Sequence, residues 1–191
     1  MLFARMYPCH ECGDHFVKKL KKNPFNGENN DDFIMWVCSL HNDVNKMLNK
    51  PIFKCSLENI KSKMPSVKTN EEKAKFGRIT WQLFHLMTVF APKELFKEKN
   101  KNINKFYDEL GQFYPIPAWR KVLSNSVKAT KPFTGTTDNH LIVYGCKIHN
   151  GVNKQINRKE FPCKWSKRAW GKVGCGCQPE QMLKFLENSK R

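Results

Sequence analysis

The sequence predicts an all-α fold, a compact bundle of short helices of which part is duplicated, and three observations lead to this prediction. Apolar residues recur at three- and four-residue steps in two long segments, residues 33–48 and 76–90. No segment shows the sustained alternation of apolar and polar residues that predicts a strand. Residues 36–55 match residues 144–163 without a gap. We therefore expect two related helical units.

The first predicted helix lies in residues 33–48, and its apolar residues form one stripe. The members of this stripe are Phe33, Val37, Leu40, Val44 and Leu48. The polar residues 30–32 suit the start of this helix, because they can cap free backbone N–H groups and favour the positive end of the helix dipole. Pro51 ends it.

The second predicted helix lies between the two copies and ends before Pro92. Its apolar stripe consists of Phe76, Ile79, Leu83, Leu86, Met87 and Phe90. Residues 56–75 are rich in Lys, Ser, Asn and Glu, and we interpret them as a boundary region. Residues 124–139 are rich in Thr, Ser, Pro and Gly, and we expect a long loop there.

The duplication preserves polar residues as well as apolar ones. The matched pairs are Cys38 with Cys146, His41 with His149, Asn42 with Asn150, Val44 with Val152, Asn45 with Asn153, Phe53 with Phe161, and Cys55 with Cys163. Upstream of these pairs, the positions of Cys9 and Cys12 hold Ile116 and Trp119 in the second copy. The second copy has therefore lost the Cys-x-x-Cys dithiol.

The composition excludes some classes of function. The formal charge is +17, and clustered cations of this kind can neutralise nucleic-acid phosphates. The lysines are scattered among apolar residues without an aromatic platform, so a solvated basic surface or an acidic protein partner explains them equally well. We expect no specific nucleic-acid partner and, because no long apolar run is present, no membrane span. Because few residues precede Cys9 in this sequence, we expect no secretory signal.

The eight cysteines point to redox or metal chemistry more than to a disulfide scaffold. Cys9 and Cys12 at the start of a helix can interconvert between dithiol and disulfide. The helix N-terminus and the neighbouring Lys18 and Lys19 favour the thiolate, which is the reactive form.

A zinc site is the alternative interpretation of the same residues. Cys9, Cys12, Cys38 and His41 form a Cys3His set with zinc-like spacing. The second copy keeps only half of this set, and a structural metal site would not survive that loss. We therefore favour redox chemistry, with no metal.

The His–Asn pattern indicates a ligand. His41, Asn42 and Asn45 are three or four residues apart on a predicted helix, so that their ring and amide groups can face one ligand. A lone helical histidine usually has no such role, but this pattern occurs twice, and packing alone would preserve apolar positions.

Three motifs together resemble the Erv/ALR family of FAD-dependent sulfhydryl oxidases. They are YPCHEC at residues 7–12, HNDVNKMLNKPIFKC at 41–55 and GRITWQLFH at 77–85. The resemblance implies a helical bundle that binds FAD, often as a homodimer. It implies that a thiol-containing protein substrate attacks Cys9, and that Cys12 passes two electrons to the flavin. Oxygen, giving hydrogen peroxide, or cytochrome c would accept them. By analogy with family members we expect the mitochondrial intermembrane space, with the secretory pathway or the virus-infected cytoplasm as alternatives.

The resemblance also implies site residues. The expected FAD contacts are Arg78, Thr80, Trp81, His85, His41, Asn42, Val44, Asn45, Lys50, Phe53, His149, Asn150, Val152 and Asn153. A structural disulfide is expected between Cys163 and either Cys175 or Cys177, whereas Cys55 has no equivalent partner nearby. Cys38 and Cys146 lie on apolar helix faces, and we interpret them as buried free thiols.

The order of the motifs departs from the family pattern, in which the GR-x-x-W helix precedes the dithiol. The expected units are a partial sulfhydryl-oxidase module at 1–60, a linker at 61–74, a degenerate module without the dithiol at 75–178, and a C-terminal helical tail at 179–191. Two explanations stay open. Either the sequence is part of a longer tandem protein, or the helix at 77–90, from this chain or a partner chain, completes the first half. A flavin-linked thiol oxidase is the leading hypothesis, and a catalytically impaired interaction module is the alternative.

Overall fold

The fold is all-α, as predicted, in a computed structural model that describes residues 2–64, 67–96, 101–114 and 116–170. The described helices are α1 (Leu2–Arg5), α2 (His10–Lys22), α3 (Asn30–Met47), α4 (Leu57–Lys63), α5 (Asn70–Val89), α6 (Lys101–Phe113), α7 (Pro117–Ala129), α8 (Asp138–Gln155) and α9 (Ser166–Trp170). Short 3-10 helices lie at Lys93–Phe96 and Cys163–Trp165. None of the described helices combines the length and hydropathy that a membrane crossing requires.

Two capping boxes fix where the long helices α3 and α5 begin. The side chain of Asn29 accepts a hydrogen bond from the backbone N–H of Asp32, and the Asp32 carboxylate accepts one from the N–H of Asn29. Thr69 and Glu72 form the same reciprocal pair at α5. Such boxes satisfy backbone N–H groups that have no partner inside the helix. The helices therefore start upstream of their apolar stripes, and residues 56–75 contain α4 and the first turns of α5.

The prediction of a loop at 124–139 is wrong for its first part, because α7 continues to Ala129. The hydroxyl of Ser126 donates to the backbone oxygen of Val122, so this buried serine is satisfied within the helix. Its small side chain also lets α7 approach α8 closely, since a Cβ added to Gly151 would lie 3.1 Å from the Ser126 Cβ. Small polar residues here serve helix packing and do not mark a turn.

The two copies have the same local structure. Helices α2 and α7 each have 13 residues, and α3 and α8 each have 18. The chain leaves α3 and α8 through matched asparagines in the left-handed region, Asn49 with φ 51° and Asn157 with φ 53°. Asparagine adopts this conformation more readily than most residues, which suits it to a helix end.

The hydrophobic core lies mainly in the second half of the chain. Helix α5 packs on α8, and α7 packs on both α6 and α8. Met87, Ile103, Leu141 and Ile148 are fully buried there. From the first half, Met6 joins this cluster directly after α1.

The apolar stripe predicted for α3 is largely exposed. Leu40 is its one buried member, whereas Phe33 and Val37 are 45% and 44% exposed and Leu48 is 51% exposed. The matching helix α8 is covered by α5, and no described helix covers α3 in the same way. The predicted stripe is present on α3, but no described helix covers it.

Candidate redox and cofactor site

The dithiol pair Cys9 and Cys12 lies at the beginning of α2, as a disulfide. Cys9 is the N-cap residue, and its Sγ accepts a hydrogen bond from the backbone N–H of Cys12 at 3.4 Å. A sulfur in this position faces the positive end of the helix dipole, which stabilises its thiolate after the disulfide is opened. The sequence-based placement of the pair at a helix start is therefore confirmed.

The two sulfurs differ in exposure. Cys9 is buried, with 6% of its surface exposed, and Cys12 is exposed. The resemblance assigns the substrate to Cys9, whereas this arrangement exposes Cys12. The second copy explains the difference, because Trp119 occupies the position of Cys12 and lies against α5, where a Cβ on Gly77 would be 3.0 Å from its ring. No described helix covers Cys12 in the way that α5 covers Trp119.

A residue beside the dithiol borders the second half of the chain. His10, which lies between the two cysteines in sequence, lines a cavity of about 680 Å³. The other walls of this cavity come from the end of α5 and the chain after it, residues 89–94 and Phe96, and from the start of α8, residues 136–138. The residue that follows Cys9 therefore faces a cavity whose other walls belong to the second-copy bundle.

A stack of aromatic rings lies between α5, α8 and α9. The rings of Trp81 and His149 are parallel with centroids 3.9 Å apart, and those of His85 and Trp170 stack at 4.5 Å. His85 Nε2 and His149 Nδ1 are 2.9 Å apart, so one of these nitrogens donates a hydrogen bond to the other. The structure thus brings together three residues expected at the site, and adds Trp170.

Burial keeps both histidines neutral. Desolvation lowers the pKa of His85 to about 3, with a smaller contribution from His149. Desolvation, followed by the charge of Arg158, lowers the pKa of His149 to about 4. His85 Nδ1 is buried and has no hydrogen-bond partner among the described residues. Parallel rings and an unsatisfied imidazole nitrogen suit a planar heteroaromatic group.

Asn42 and Asn150 have a structural task that the sequence did not reveal. The amide of Asn150 donates to the backbone oxygen of Phe161 at 2.8 Å and accepts from its N–H at 2.9 Å. Asn42 binds Phe53 in the same way, at 2.7 and 2.9 Å. Each amide therefore holds the returning chain against its helix. Packing of the loop therefore gives these two duplicated amides a structural role that their spacing did not indicate.

The other expected contact residues are dispersed. Val152 is buried in the core, and the Thr80 hydroxyl donates to the backbone oxygen of Phe76. Asn45 donates to Asn42, at 3.4 Å. His41, Lys50 and Arg78 are exposed, and Val44, Phe53 and Asn153 are half-buried. The sequence analysis did not predict Trp170 as a site residue. The available signal for it was its position after Cys163, together with Trp165.

The disulfide predictions are wrong. Cys163 is bonded to Cys146, and Cys55 to Cys38, each across 17 residues. Cys38 and Cys146 are therefore not free thiols, and Cys38 is not available as a zinc ligand. The asparagine that holds each returning chain brings the second cysteine back to its helix. Cys175 and Cys177, the other expected partners of Cys163, lie outside the described residues.

Asn150→Ala is expected to lower the free energy of unfolding by about 0.5–1.5 kcal/mol, because it removes two hydrogen bonds to exposed backbone groups of Phe161, which water can then bind. Urea denaturation followed by circular dichroism measures this. Asn42→Ala is the matched control. It removes the same bonds from the half that contributes little to the core, so its effect on global unfolding is expected to be smaller. An unchanged midpoint for Asn150→Ala would contradict the structural role.

Comparison with known proteins identifies the family to which this chain belongs. The model of the Erv1 / Alr family matches residues 1–65 and 78–171. The chain is 45% identical over 58 residues to the FAD-linked sulfhydryl oxidase ERV1 of rice, Oryza sativa subsp. japonica, a match covering 30% of each chain. It is 44% identical over 55 residues to the FAD-linked sulfhydryl oxidase ERV2 of Saccharomyces cerevisiae, covering 29% of this chain and 28% of that protein.

A viral relative matches a similar length of the chain. The FAD-linked sulfhydryl oxidase of African swine fever virus (isolate Pig/Kenya/KEN-50/1950) is 43% identical over 54 residues, which cover 28% of this chain and 45% of that protein. The chain thus spans less than half the length of each of these relatives. No solved structure is significantly similar to the chain. Because the family model matches both halves, around the dithiol and around the aromatic stack, the chain belongs to the Erv1 / Alr family.

Proposed function

We propose that the chain is a FAD-linked thiol oxidase that forms disulfide bonds in thiol-containing proteins. The observation that carries the proposal is the Cys9–Cys12 disulfide at the start of α2 in a chain of the Erv1 / Alr family. The relatives with which it shares this region are named FAD-linked sulfhydryl oxidases. The expected modules are residues 1–60, which supply the dithiol, and residues 75–178, which supply the aromatic stack.

The residues of the second half fit a flavin. The four rings of Trp81, His85, His149 and Trp170 offer flat surfaces for stacking, and the buried Nδ1 of His85 lacks a partner among the described residues. These side chains would hold the cofactor and orient it. When bound, FAD accepts the two electrons of the dithiol and passes them to oxygen, which becomes hydrogen peroxide, or to cytochrome c.

The chain's own cysteines carry out the exchange with the substrate. A substrate thiolate attacks one sulfur of the Cys9–Cys12 disulfide, and the other sulfur leaves as a thiolate. When the leaving sulfur is that of Cys9, the backbone N–H of Cys12 and the start of α2 stabilise its negative charge. A second substrate thiol then displaces the enzyme sulfur. Two substrate thiols thus become one disulfide, and the enzyme pair becomes a dithiol that has taken up two electrons.

The expected partners follow from this chemistry. They are a thiol-containing protein and an electron acceptor, and the family resemblance adds a second copy of the chain in a homodimer. The mitochondrial intermembrane space remains the proposed location, and one relative is named a mitochondrial FAD-linked sulfhydryl oxidase. Because some of the relatives are viral proteins, the virus-infected cytoplasm stays an alternative location in this proposal.

The second candidate function is a non-catalytic interaction module. The replacement of both cysteines by Ile116 and Trp119 in the second half favours it, because that half then serves only to bind. This function predicts partner binding that does not depend on Cys9 or Cys12. A partner that binds the Cys9→Ser and Cys12→Ser variants unchanged, in a chain without oxidase turnover, would establish it.

The full chain, purified in the presence of added FAD, is expected to retain a flavin absorption band after gel filtration. Trp81→Ala should lower the bound flavin, because it removes the ring that stacks on His149. Trp165→Ala is the control. Trp165 is 47% exposed and outside the stack, so its replacement should leave the flavin content unchanged. A folded chain that retains no flavin and shows no saturable FAD binding would refute the proposal.

A further inference from the structure

A cleft in the second half of the chain lies between the loop that follows α7 and one face of α8. We name it the cationic cleft, and its volume is about 690 Å³. Its walls consist of residues 129–136, His140, Val143, Tyr144 and Lys147. Two lysines, Lys131 and Lys147, line it, whereas no Asp or Glu of the described residues does. Neither ammonium group has an ion-pair partner in the described part of the chain. The cleft therefore presents two positive charges that no carboxylate neutralises.

The loop that forms one wall of the cleft is held in place by a side chain of α6. Asn104 Oδ1 accepts a hydrogen bond from the N–H of Phe133 at 2.7 Å, and the Asn104 amide donates to the Phe133 backbone oxygen at 3.1 Å. The ring of Phe133 is buried, and its centroid lies 5.3 Å from that of Tyr144. A wall that is already fixed lowers the conformational entropy that ligand binding costs.

The first copy contains the same loop without the cations. The gap-free match extends upstream, because residues 24–27 and 132–135 are both Pro-Phe-x-Gly. The two loops also have the same shape, since a Cβ added to Gly27 would collide with Asp32, and one added to Gly135 would collide with the matching His140. The residues that differ are Asn23, Asp32 and Ser39 in the first copy, against Lys131, His140 and Lys147 in the second. The loop does not need the cations to adopt its conformation, so they indicate a ligand.

The spacing of the donors favours carboxylates on an extended chain over a single phosphate. His140 and Lys147 are separated by seven residues on α8, which is about 10 Å along the helix. Donors this far apart do not converge on one anion, but they match acidic side chains two or three residues apart on an extended peptide, at about 7–10 Å. His140 can act as a neutral donor, because its Nδ1 accepts from the N–H of Thr136 and its Nε2 then carries the proton.

The rest of the lining favours a peptide over a nucleic acid. The cleft contains half-buried Val143 and exposed Pro132, which suit an apolar side chain. Its aromatic rings, Phe133 and Tyr144, are only 4% and 7% exposed, so neither offers an open face on which a base could stack. The ligand that fits is a peptide segment with an apolar residue between acidic ones.

This chain is a poor source of such a segment. It has 34 basic and 17 acidic residues, and the acidic stretch at residues 28–32 lies at the start of α3. There the Asp31 carboxylate is 3.5 Å from the Lys61 ammonium group, and the Asp32 carboxylate accepts hydrogen bonds from two backbone N–H groups. We therefore expect the segment to belong to another protein.

The cationic cleft continues towards the redox pair. Thr136 lines both this cleft and the cavity of about 680 Å³ that His10 faces, and His10 follows Cys9 in sequence. A bound peptide can thus run from the cleft past Thr136 to the side of the dithiol. Residues 93–94 and Asp138 bring two carboxylates and one ammonium group to that cavity, so acidic side chains are favoured in the cleft and disfavoured beside His10.

We propose that the cationic cleft binds an acidic segment of the thiol-containing protein substrate and directs the substrate's cysteine to the Cys9–Cys12 pair. The segment has two acidic side chains two or three residues apart, with an apolar residue between them, and its cysteine lies on the Thr136 side. The inference rests on the proposed function. It assigns substrate recognition to the half of the chain that has no dithiol of its own.

Binding is tested with the full chain, loaded with FAD, and fluorescent peptides that contain a Glu-Leu-Glu or a Gln-Leu-Gln segment. Fluorescence anisotropy at low salt is expected to show that the acidic peptide binds at least about fivefold more tightly, and added salt should reduce this preference. The double variant Lys131→Asn and Lys147→Ser introduces the first-copy residues and should lose the preference. The matched control, Lys121→Asn and Lys154→Ser, makes the same replacements at exposed positions outside the cleft and should keep it.

Turnover is the second readout, with peptides that carry two cysteines after the acidic or the amide segment. In the parent chain the acidic peptide is expected to have a KM about fivefold lower than the amide peptide, at a similar kcat, because the cleft contributes binding and no chemistry. The double variant in the cleft should give both peptides the same KM, and the control should behave like the parent.

Equal affinity of the two peptides for the parent chain would overturn the proposal, and so would a preference that the double variant keeps. Specific binding without the difference in KM would overturn the role in substrate recognition. Inorganic phosphate or an oligonucleotide that binds more tightly through the same two lysines, or self-association that depends on them, would assign the cleft to another ligand. Absence of turnover with dithiothreitol would instead refute the proposed function itself, so the two failures are distinguishable.

Discussion

Cys12→Ser is expected to reduce oxygen consumption by the flavin-loaded chain, with dithiothreitol as substrate, to the uncatalysed background. The remaining Cys9 thiol can form a mixed disulfide but cannot close an intramolecular one, so no electron pair reaches an acceptor. The fold should persist, because Cys12 is exposed and its backbone N–H still binds the sulfur of Cys9. An oxygen electrode measures the rate, and the unfolding midpoint verifies the fold.

The control is the paired substitution of Cys38 and Cys55 by serine. It removes a disulfide from the same half of the chain but leaves the redox pair intact. This variant should retain turnover, which would separate redox function from disulfide stabilisation. Turnover by Cys12→Ser at the parent rate would show that the oxidation takes place elsewhere.

Leu141→Ala is expected to lower the free energy of unfolding by about 2–5 kcal/mol, the range for a leucine that leaves a cavity in a packed core. Leu141 has no exposed surface and belongs to the main core cluster. Phe33 occupies the matching position in the first copy but is 45% exposed, so Phe33→Ala is expected to cost well under half as much. Denaturant titration of both variants measures the difference.

This pair tests where the stability of the chain resides. The two positions are equivalent by duplication, but Leu141 lies on the helix that α5 covers, whereas Phe33 contacts only nearby rings such as Phe25 and Trp36 among the described aromatic pairs. A larger cost at Leu141 therefore supports a contribution of the covering helix. Equal losses of stability would mean that α3 is buried in solution, either by another part of the chain or by a second copy. Repeating the Phe33→Ala titration at several protein concentrations distinguishes these two cases.

The helices and the redox pair could be predicted because both depend on short-range patterns in the sequence. The stripe of α5 and the Cys-x-x-Cys spacing each span only a few turns of helix. The start of α5 was harder to predict, because the Thr69–Glu72 capping box lies upstream of the apolar stripe. The end of α7 was misjudged, because buried Ser126 resembles a loop residue in composition.

The candidate site was predictable in part for the same reason. Trp81, His85 and His149 belong to motifs, and the structure brings them together in one stack. Trp170 lies outside those motifs, and its position after Cys163 was the one available signal for its stacking on His85. The structural role of the Asn150 amide was not predicted, because its spacing on the helix does not reveal that it binds the backbone of Phe161.

The sequence by itself determined the helical class, the duplication, the dithiol at the start of a helix and the resemblance to the family. Only the tertiary structure decided that Cys146 pairs with Cys163, that the Phe33–Val37 row is exposed and that Cys12 is open to solvent. The reason is physical. Periodicity and capping depend on neighbours within a few residues, whereas burial and disulfide pairing depend on which distant helix covers a face. In this chain one copy has that covering helix, and the described residues of the other do not.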